Sequence, residues 1–572
     1  MIKNNSLNSF FWLLGLVVIT LAAYSNAFSV PFYLDDFYHI RDNNFLREGS
    51  VGEVFGFQRP VGVLSFWANY QLGFDSLSAL HATNIIIHII NAVLVFVFVK
   101  VLFITPKLKQ HPIVKYQDYI ALLVAFIFAV HPLHTQAVTY LVQRFASLAL
   151  VFYLLSLVCY IKARVSASIS IAGLWLITSI AAMLLAFLTK QNAVTLVGVL
   201  VLIEIYLFAS KRLAKWLVYI GVIAVVAALA IWQFDLFTPH LTKLDQLTTE
   251  TGRFTRLEYL FSQFSVLAIY IGKVFFPFPL RLEYGYVPSD FSTLHNLLSL
   301  CFLIGLLVVA YRFRTKNPLL LFGVLFYFIA HGVESSIIPI KDIIVEHRTY
   351  IPNVGLLIAL VSSVFIFVKK PQQLKVTLGA FAVVLVALAI TASYRNAQWQ
   401  TPRVFYEYEL SLNPNHKRLS ANLAKVYLEA GDLQLGIAQL EKTIELKQGQ
   451  IDEDLANNLI AAAIEAGNFK QAQKIADGLL PNIKNSYTRS QVLTNLGVLH
   501  LRKSKLSEAE SYFKQALAEP WYLADTHFAI AVVYFKTSRF MLAKKHILLL
   551  LEKKPRHQEG LRMKKMLISK GY

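Results

Sequence analysis

TNIIIHIINAVLVFVFVKVLFIT, residues 83–105, carries one charge, Lys100, near its far end. A helix of that length rises about 35 Å, enough to cross a hydrocarbon core of about 30 Å. Runs of similar character lie near 9–28, 119–134, 145–161, 168–188, 193–210, 215–234, 296–311, 318–332, 350–368 and 376–393. They predict an all-α, polytopic membrane domain over 1–394 with about 11 spans. The composition agrees: 572 residues, 56% hydrophobic and 15% charged, with a mean hydropathy of +0.53, exclude an ordinary soluble globule. Beyond 394 the chain changes character. Residues 395–415 read as a linker, and 416–572 as a charged, Ala- and Leu-rich soluble α-domain.

The net charge of +20 does not point to nucleic acid. Much of the Lys and Arg sits in short clusters between apolar runs, where positive charge anchors loops on the cytoplasmic side. With the N-terminus inside, the predicted inner loops hold Lys107, Lys109 and Lys115; Lys162 and Arg164; and Lys211, Arg212 and Lys215. Arg312, Arg314 and Lys316, then Lys369, Lys370 and Lys375, complete the set. Residues 258–277 are also apolar enough to cross. A crossing there would turn the later basic loops outward, so the charge bias favours a re-entrant or interfacial segment. The first run is longer than a signal-peptide core and its basic head is only Lys3, which favours an uncleaved anchor. Cys159 and Cys301 both lie in apolar runs and give neither a disulfide framework nor a metal site.

In this topology the polar residues gather at one water boundary. PFYLDDFYHI (31–40) places Asp35 and Asp36 just past the first span. HPLHTQAVTYLVQR (131–144), TKQN (189–192), RLEYGY (281–286) and VESSIIPIKDIIVEHRTYIP (333–352) lie on the same side. A transporter would place its ionisable residues at mid-membrane. A carboxylate pair at the boundary suits a base that takes a proton from an acceptor hydroxyl beside a lipid-borne donor. The plain alternative is that the pair caps the next helix.

The DD pair, the HPLHTQAVTYLVQR block, the TKQNAVTL block and the VESS…EHRTYIPNVG block occur in one order along the chain. In these the chain resembles the transmembrane and tetratricopeptide repeat-containing protein O-mannosyltransferases, C-type glycosyltransferases that use a lipid-phosphate sugar. The resemblance implies a polyprenyl-phosphate-linked sugar donor, inverting transfer to a hydroxyl, an outward-facing site and no metal. The sequence departs from that pattern at Gln136 and Gln191, where the family usually or often has Glu.

With that chemistry the residues take roles. Asp35 or Asp36 is the base, and the other orients the acceptor or raises its neighbour's pKa. The leaving phosphate gains negative charge and needs cations: Arg348 and His347 of EHR, Arg144 of VQR, and Lys190 of TKQN. Arg144 and Lys190 could instead snorkel to headgroups. Glu346 is expected to pair with Arg348. His131 and His134, Gln143 and Tyr284 are supporting or acceptor-side candidates. The two histidines lack an evident third ligand, so no metal site and no cofactor are expected.

The soluble tail repeats with a period of about 34–37 residues. SANLAKVYLEAGDLQLGIAQLEKTIEL (420–446), DLANNLIAAAIEAGNFKQAQKIADGLL (454–480), SQVLTNLGVLHLRKSKLSEAESYFKQAL (490–517) and ADTHFAIAVVYFKTSRFMLAKKHILLLL (524–551) are the units. The third fits the tetratricopeptide pattern best, with Leu496-Gly497, Ala509, Phe513, Ala516 and Pro520. LRMKKMLISKGY reads as a capping helix. The expectation is a TPR α-solenoid on the same side as the acid pair, where it could bring acceptor proteins or peptides to the site.

The function expected is transfer of a mannose-like sugar to Ser or Thr of exported proteins, at a bacterial inner membrane with the site facing the periplasm. That location rests on compact loops and the lack of a eukaryotic retention signal. The membrane lipid is the remaining partner. Competing readings are a glycosyltransferase for an envelope glycan or lipid, and a non-catalytic anchor presenting a repeat scaffold.

Overall fold

The computed structural model describes residues 5–210, 254–446 and 453–572, apart from 337, 484, 522, 523 and 556. All regular structure among the described residues is helical. Two compact units divide between Phe405 and Tyr406.

Among the described residues of the first unit six helical segments are long and apolar enough to cross a membrane: Leu77–Leu102, Pro112–Val130, Leu141–Val165, Ile169–Thr189, Thr293–Arg312 and Pro371–Ala397. Four of the remaining expected spans fall on shorter apolar segments, Phe11–Ala23, Gln191–Leu207, Pro318–Ala330 and Pro352–Val364. The expected span 215–234 lies outside the described residues. Residues 258–277 fall on the helix Arg256–Phe275, which is not among the six and keeps Arg256, Glu258 and Lys273.

Several boundaries have a local cause. The run expected at 119–134 stops at Val130, because Pro132 cannot supply a helical N–H and disfavours the α conformation at His131. HPLH therefore becomes a short 3₁₀ turn at the end of that helix. Inside the apolar segment Gln191–Leu207, Glu204 is fully buried, and Arg164 and the Tyr160 hydroxyl both donate to its carboxylate at 2.8 Å. A buried carboxylate is tolerable there because it is paired. Residues 395–415, expected as a linker, are mostly helical. Pro371–Ala397 runs on to a buried Asn396, Trp399 is fully buried, and Pro402–Leu412 is a further helix.

Pro318–Ala330 and Pro352–Val364 pack at glycine contacts. A Cβ on Gly355 would meet the Gly323 carbonyl oxygen at 2.6 Å and the Phe326 side chain at 2.7 Å. Small residues let helices approach this closely in lipid.

The described residues of the second unit hold the end of the helix Pro402–Leu412, four helical hairpins and a last helix, Gln558–Ser569. The hairpins are Lys417–Glu429 with Leu433–Leu446, Glu453–Glu465 with Phe469–Leu479, Ser486–Arg502 with Leu506–Ala518, and Ala524–Lys536 with Phe540–Lys553. Each turns through a left-handed residue: Gly431, Gly467, Ser504 and Ser538. Leu496, Ala509, Phe513 and Ala516 are buried, and the Phe513 ring occupies the space a Cβ on Gly497 would need. Successive hairpins stack, as in a tetratricopeptide solenoid.

The glycine contact gives a direct check. Gly355→Ala should lower the melting midpoint of the detergent-solubilised protein, by a cost of about 1–3 kcal/mol for overpacking. Gly379→Ala, where nothing lies within 4 Å of the new methyl, should not lower it.

Candidate functional site

The chain leaves its first helix at Ala23, and Tyr33 docks under it, donating from its hydroxyl to the Trp399 carbonyl at 2.7 Å. Leu34 then adopts φ +40°, a left-handed value unfavourable for a branched side chain. That turn points the two carboxylates apart. Asp36 is buried and accepts N–H groups from Tyr33 at 3.0 Å and Val142 at 2.7 Å. Asp35 is exposed, and its own N–H donates to the Tyr140 hydroxyl at 3.0 Å. The HPLHTQAVTYLVQR block thus grips the pair from both sides. Burial raises the Asp36 carboxyl to about 8 despite its two backbone donors.

Arg144 is fully buried. Its Nε donates to Asn84 at 2.6 Å, Nη1 to Asn69 at 2.6 Å and to the Ser65 carbonyl at 3.2 Å, and Nη2 to the Leu80 carbonyl at 3.0 Å. The Phe66 ring covers its face at 3.9 Å. The guanidinium expected to meet a lipid phosphate is instead engaged in tying helices Pro60–Gln71 and Leu77–Leu102 to the VQR turn.

Lys190 and Arg348 stand differently. Lys190 follows the helix Ile169–Thr189, and Arg348 lies in the 3₁₀ turn Glu346–Thr349. Both are buried and both face Glu334, with Lys190 Nζ 3.6 Å and Arg348 Nε 3.9 Å from the same carboxylate oxygen. Asn192 donates to the other oxygen at 3.0 Å. Lys190 Nζ, Arg348 Nη1 and His347 Nδ1 are buried atoms without a hydrogen-bond partner. Arg59 stands beside them, its Nε donating to Gln191 Oε1 at 3.2 Å. Burial lowers the Lys190 ammonium, as does its neighbourhood of Arg59 and Arg348, while Glu334 opposes this. Burial alone would push the Glu334 carboxyl up, but Lys190, Arg348 and Asn192 hold it below its ordinary value. Burial, then Lys190, Arg348 and Arg59, hold the His347 imidazole well below its ordinary value.

Glu346 does not pair with Arg348 in the way expected. Its carboxylate accepts from the Arg281 N–H at 2.6 Å and the Tyr284 hydroxyl at 2.8 Å. Tyr284 is thereby buried against EHR rather than lining an open groove. Gln136 bridges the same loops, accepting the His347 N–H at 2.7 Å and donating to the Leu282 carbonyl at 3.2 Å. An ionised Glu there could not donate to that carbonyl, whereas the neutral amide of Gln136 makes both bonds. His131 accepts the Leu133 N–H and meets the Val274 carbonyl at 3.0 Å; His134 meets the Phe128 carbonyl at 2.8 Å and Asn353 at 3.1 Å. All four ring nitrogens are engaged, and no group of three or more metal-ligating side chains occurs among the described residues. Gln143 is half-buried beside Arg144.

His39 connects the acid pair with the cations. Its ring meets Phe145 edge-on at 6.1 Å, and the Arg59 guanidinium lies 5.5 Å from that same ring. Burial lowers the imidazole, while Asp35 and Arg59 act on it in opposite senses. Glu334 and Arg59 are the residues to which sequence reasoning gave no role. Glu334 stood in the quoted VESS block.

Mouse and human TMTC3, each a protein O-mannosyl-transferase, are 21% identical to this chain over 94% of its length. A Caenorhabditis elegans protein O-mannosyl-transferase is 24% identical over 65% of it. The chain is similar, along nearly all its length, to the TMTC protein O-mannosyltransferases. It spans 63% of the mouse and human relatives and 51% of the worm one. No protein-family model matches the chain. Among solved structures, YrrB, a TPR protein with an unusual peptide-binding site, is 20% identical over 32% of this chain and 89% of its own, with a TM-score of 0.23. That score is too low to carry a comparison.

The Asp36 geometry sets a pH dependence. Its folded pKa of about 8 lies above its ordinary 3.8, so the fold favours the protonated acid. Stability should be full below about pH 4 and decline as pH rises through about 8. Asp36→Asn should remove that decline in melting midpoint across the range. It should also cost about 1–3 kcal/mol, because an amide offers one acceptor to two N–H donors.

Proposed function

We propose that the chain moves a sugar, mannose by family likeness, from a polyprenyl-phosphate donor to Ser or Thr hydroxyls of exported proteins, with inversion. The observation that carries this reading is the pair Lys190 and Arg348 around one carboxylate, with Lys190 Nζ and Arg348 Nη1 buried and unmatched and Arg59 nearby on Gln191. Buried donors without partners are costly, and an entering anion would satisfy them. A phosphate suits them, since its oxygens can meet an ammonium and a guanidinium together.

The exposed carboxylate of Asp35 then serves as the base. The acceptor oxygen attacks the anomeric carbon as its proton passes to Asp35, and the bond from that carbon to the phosphate oxygen breaks. The electron pair stays on the phosphate, whose growing charge the cations stabilise. Asp36 holds the turn that presents Asp35. Arg144 holds the helices behind it. Family likeness suggests a site on the outer face of the membrane, compact loops suggest a bacterial inner membrane, and the helical repeats would gather acceptor proteins.

The test is transfer of radiolabelled mannose from polyprenyl-phosphate mannose to a mixed periplasmic extract, in liposomes. Asp35→Asn should lower transfer by about 10²–10⁴-fold. Arg348→Gln should lower it by about 10²–10³-fold. Full activity in Asp35→Asn would remove the base assignment, and label in glycan or lipid alone would favour an envelope acceptor.

A further inference from the structure

Glu334 is an odd feature of a site read as holding phosphate, since a carboxylate repels the ligand. Its side chain is 11% exposed and is held in place. Asn192 binds one oxygen at 3.0 Å, and the Tyr259 hydroxyl donates to its backbone carbonyl. Yet it stands 3.6 and 3.9 Å from the cations it faces, beyond the 2.7–2.9 Å of a charge-assisted hydrogen bond. It therefore lowers the charge of the cluster while leaving Lys190 Nζ and Arg348 Nη1 unmatched.

The reaction changes the charge of its phosphate. In the donor the phosphorus carries a sugar ester and a lipid ester, and the diester bears one negative charge. Once the anomeric carbon–oxygen bond breaks, the lipid phosphate is a monoester carrying about −1.5 to −2. A site of cations alone would grip that product hardest, after its work was done. Resting on the donor-phosphate reading above, we propose that Glu334 is a positioning residue that limits the charge of the site, so that it favours the developing dianion in the transition state without trapping the released polyprenyl phosphate.

Lys190 and Arg348 give two positive charges facing Glu334, and Glu334 removes one. A charge series follows: Glu334→Gln leaves two, wild type one, and Gln191→Glu, placed where Arg59 Nε donates, adds a further carboxylate beside the cluster. Binding is measured on the full chain in nanodiscs with a short-chain polyprenyl phosphate monoester and its methyl diester. The ratio of monoester to diester affinity should rise about tenfold in Glu334→Gln and fall by a similar factor in Gln191→Glu. Glu334→Asp should keep the wild-type ratio. With the mannosyl donor, Glu334→Gln should lose kcat but not raise KM, and added polyprenyl phosphate should inhibit it more strongly.

A ratio that stays flat across the series overturns the proposal, as does equal weakening of both ligands in Glu334→Gln. Gln191→Glu supplies a second point even where Glu334→Gln does not fold. Failure of the phosphate-site reading itself looks different: neither ligand binds wild type, or Arg348→Gln leaves both affinities unchanged.

Discussion

A cation buried among helices has to be answered by protein oxygens, and Arg144 shows that requirement met. Four hydrogen bonds from one buried guanidinium reach Asn84, Asn69 and the carbonyls of Ser65 and Leu80, and so join three segments of the first unit. Removing the Asn84 or Asn69 acceptor would leave a guanidinium N–H buried without a partner, which is more costly than losing a surface contact. The VQR turn is fixed by this network. Asp36 is fixed in turn through Val142, and the direction of Asp35 follows from the Leu34 backbone beside it.

Lys190 and Arg348 are buried to a similar degree but are not answered in the same way. Their shared carboxylate stands at ion-pair distance, and one nitrogen on each lacks a hydrogen bond. The contrast separates two uses of positive charge at the same boundary. One holds helices together. The other remains able to take an anion, with half-buried Arg59, Gln191 and His347 around it.

The helical architecture was legible because it depends on periodicity. Apolar runs of bilayer length and hairpins recurring at a fixed interval leave a signal in any single sequence. Short helices such as Pro318–Ala330 and Pro352–Val364 blur the count, because apolar character continues past the residues that are helical. The acid pair was also legible, as charges beside a span. Which of the two is buried was not, since that depends on Leu34 and on donors more than 100 residues away. Arg348 was assigned its neighbour Glu346 because adjacency is visible in a sequence, whereas Glu334 reaches it through a loop fold. Arg144 and Lys190 look alike on paper. Only the count of acceptors around each nitrogen tells them apart.

The central claim is that a lipid phosphate sits among Lys190, Arg348 and Arg59 with its sugar toward Asp35. The most direct measurement is an electron cryo-microscopy map of the Asp35→Asn chain in nanodiscs with a polyprenyl-phosphate sugar bound. Phosphate density within hydrogen-bond reach of Lys190 Nζ and Arg348 Nη1, with the anomeric carbon facing residue 35, is the result expected. Phosphate density elsewhere on the outer face, with Lys190 and Arg348 still closed on Glu334, would contradict it.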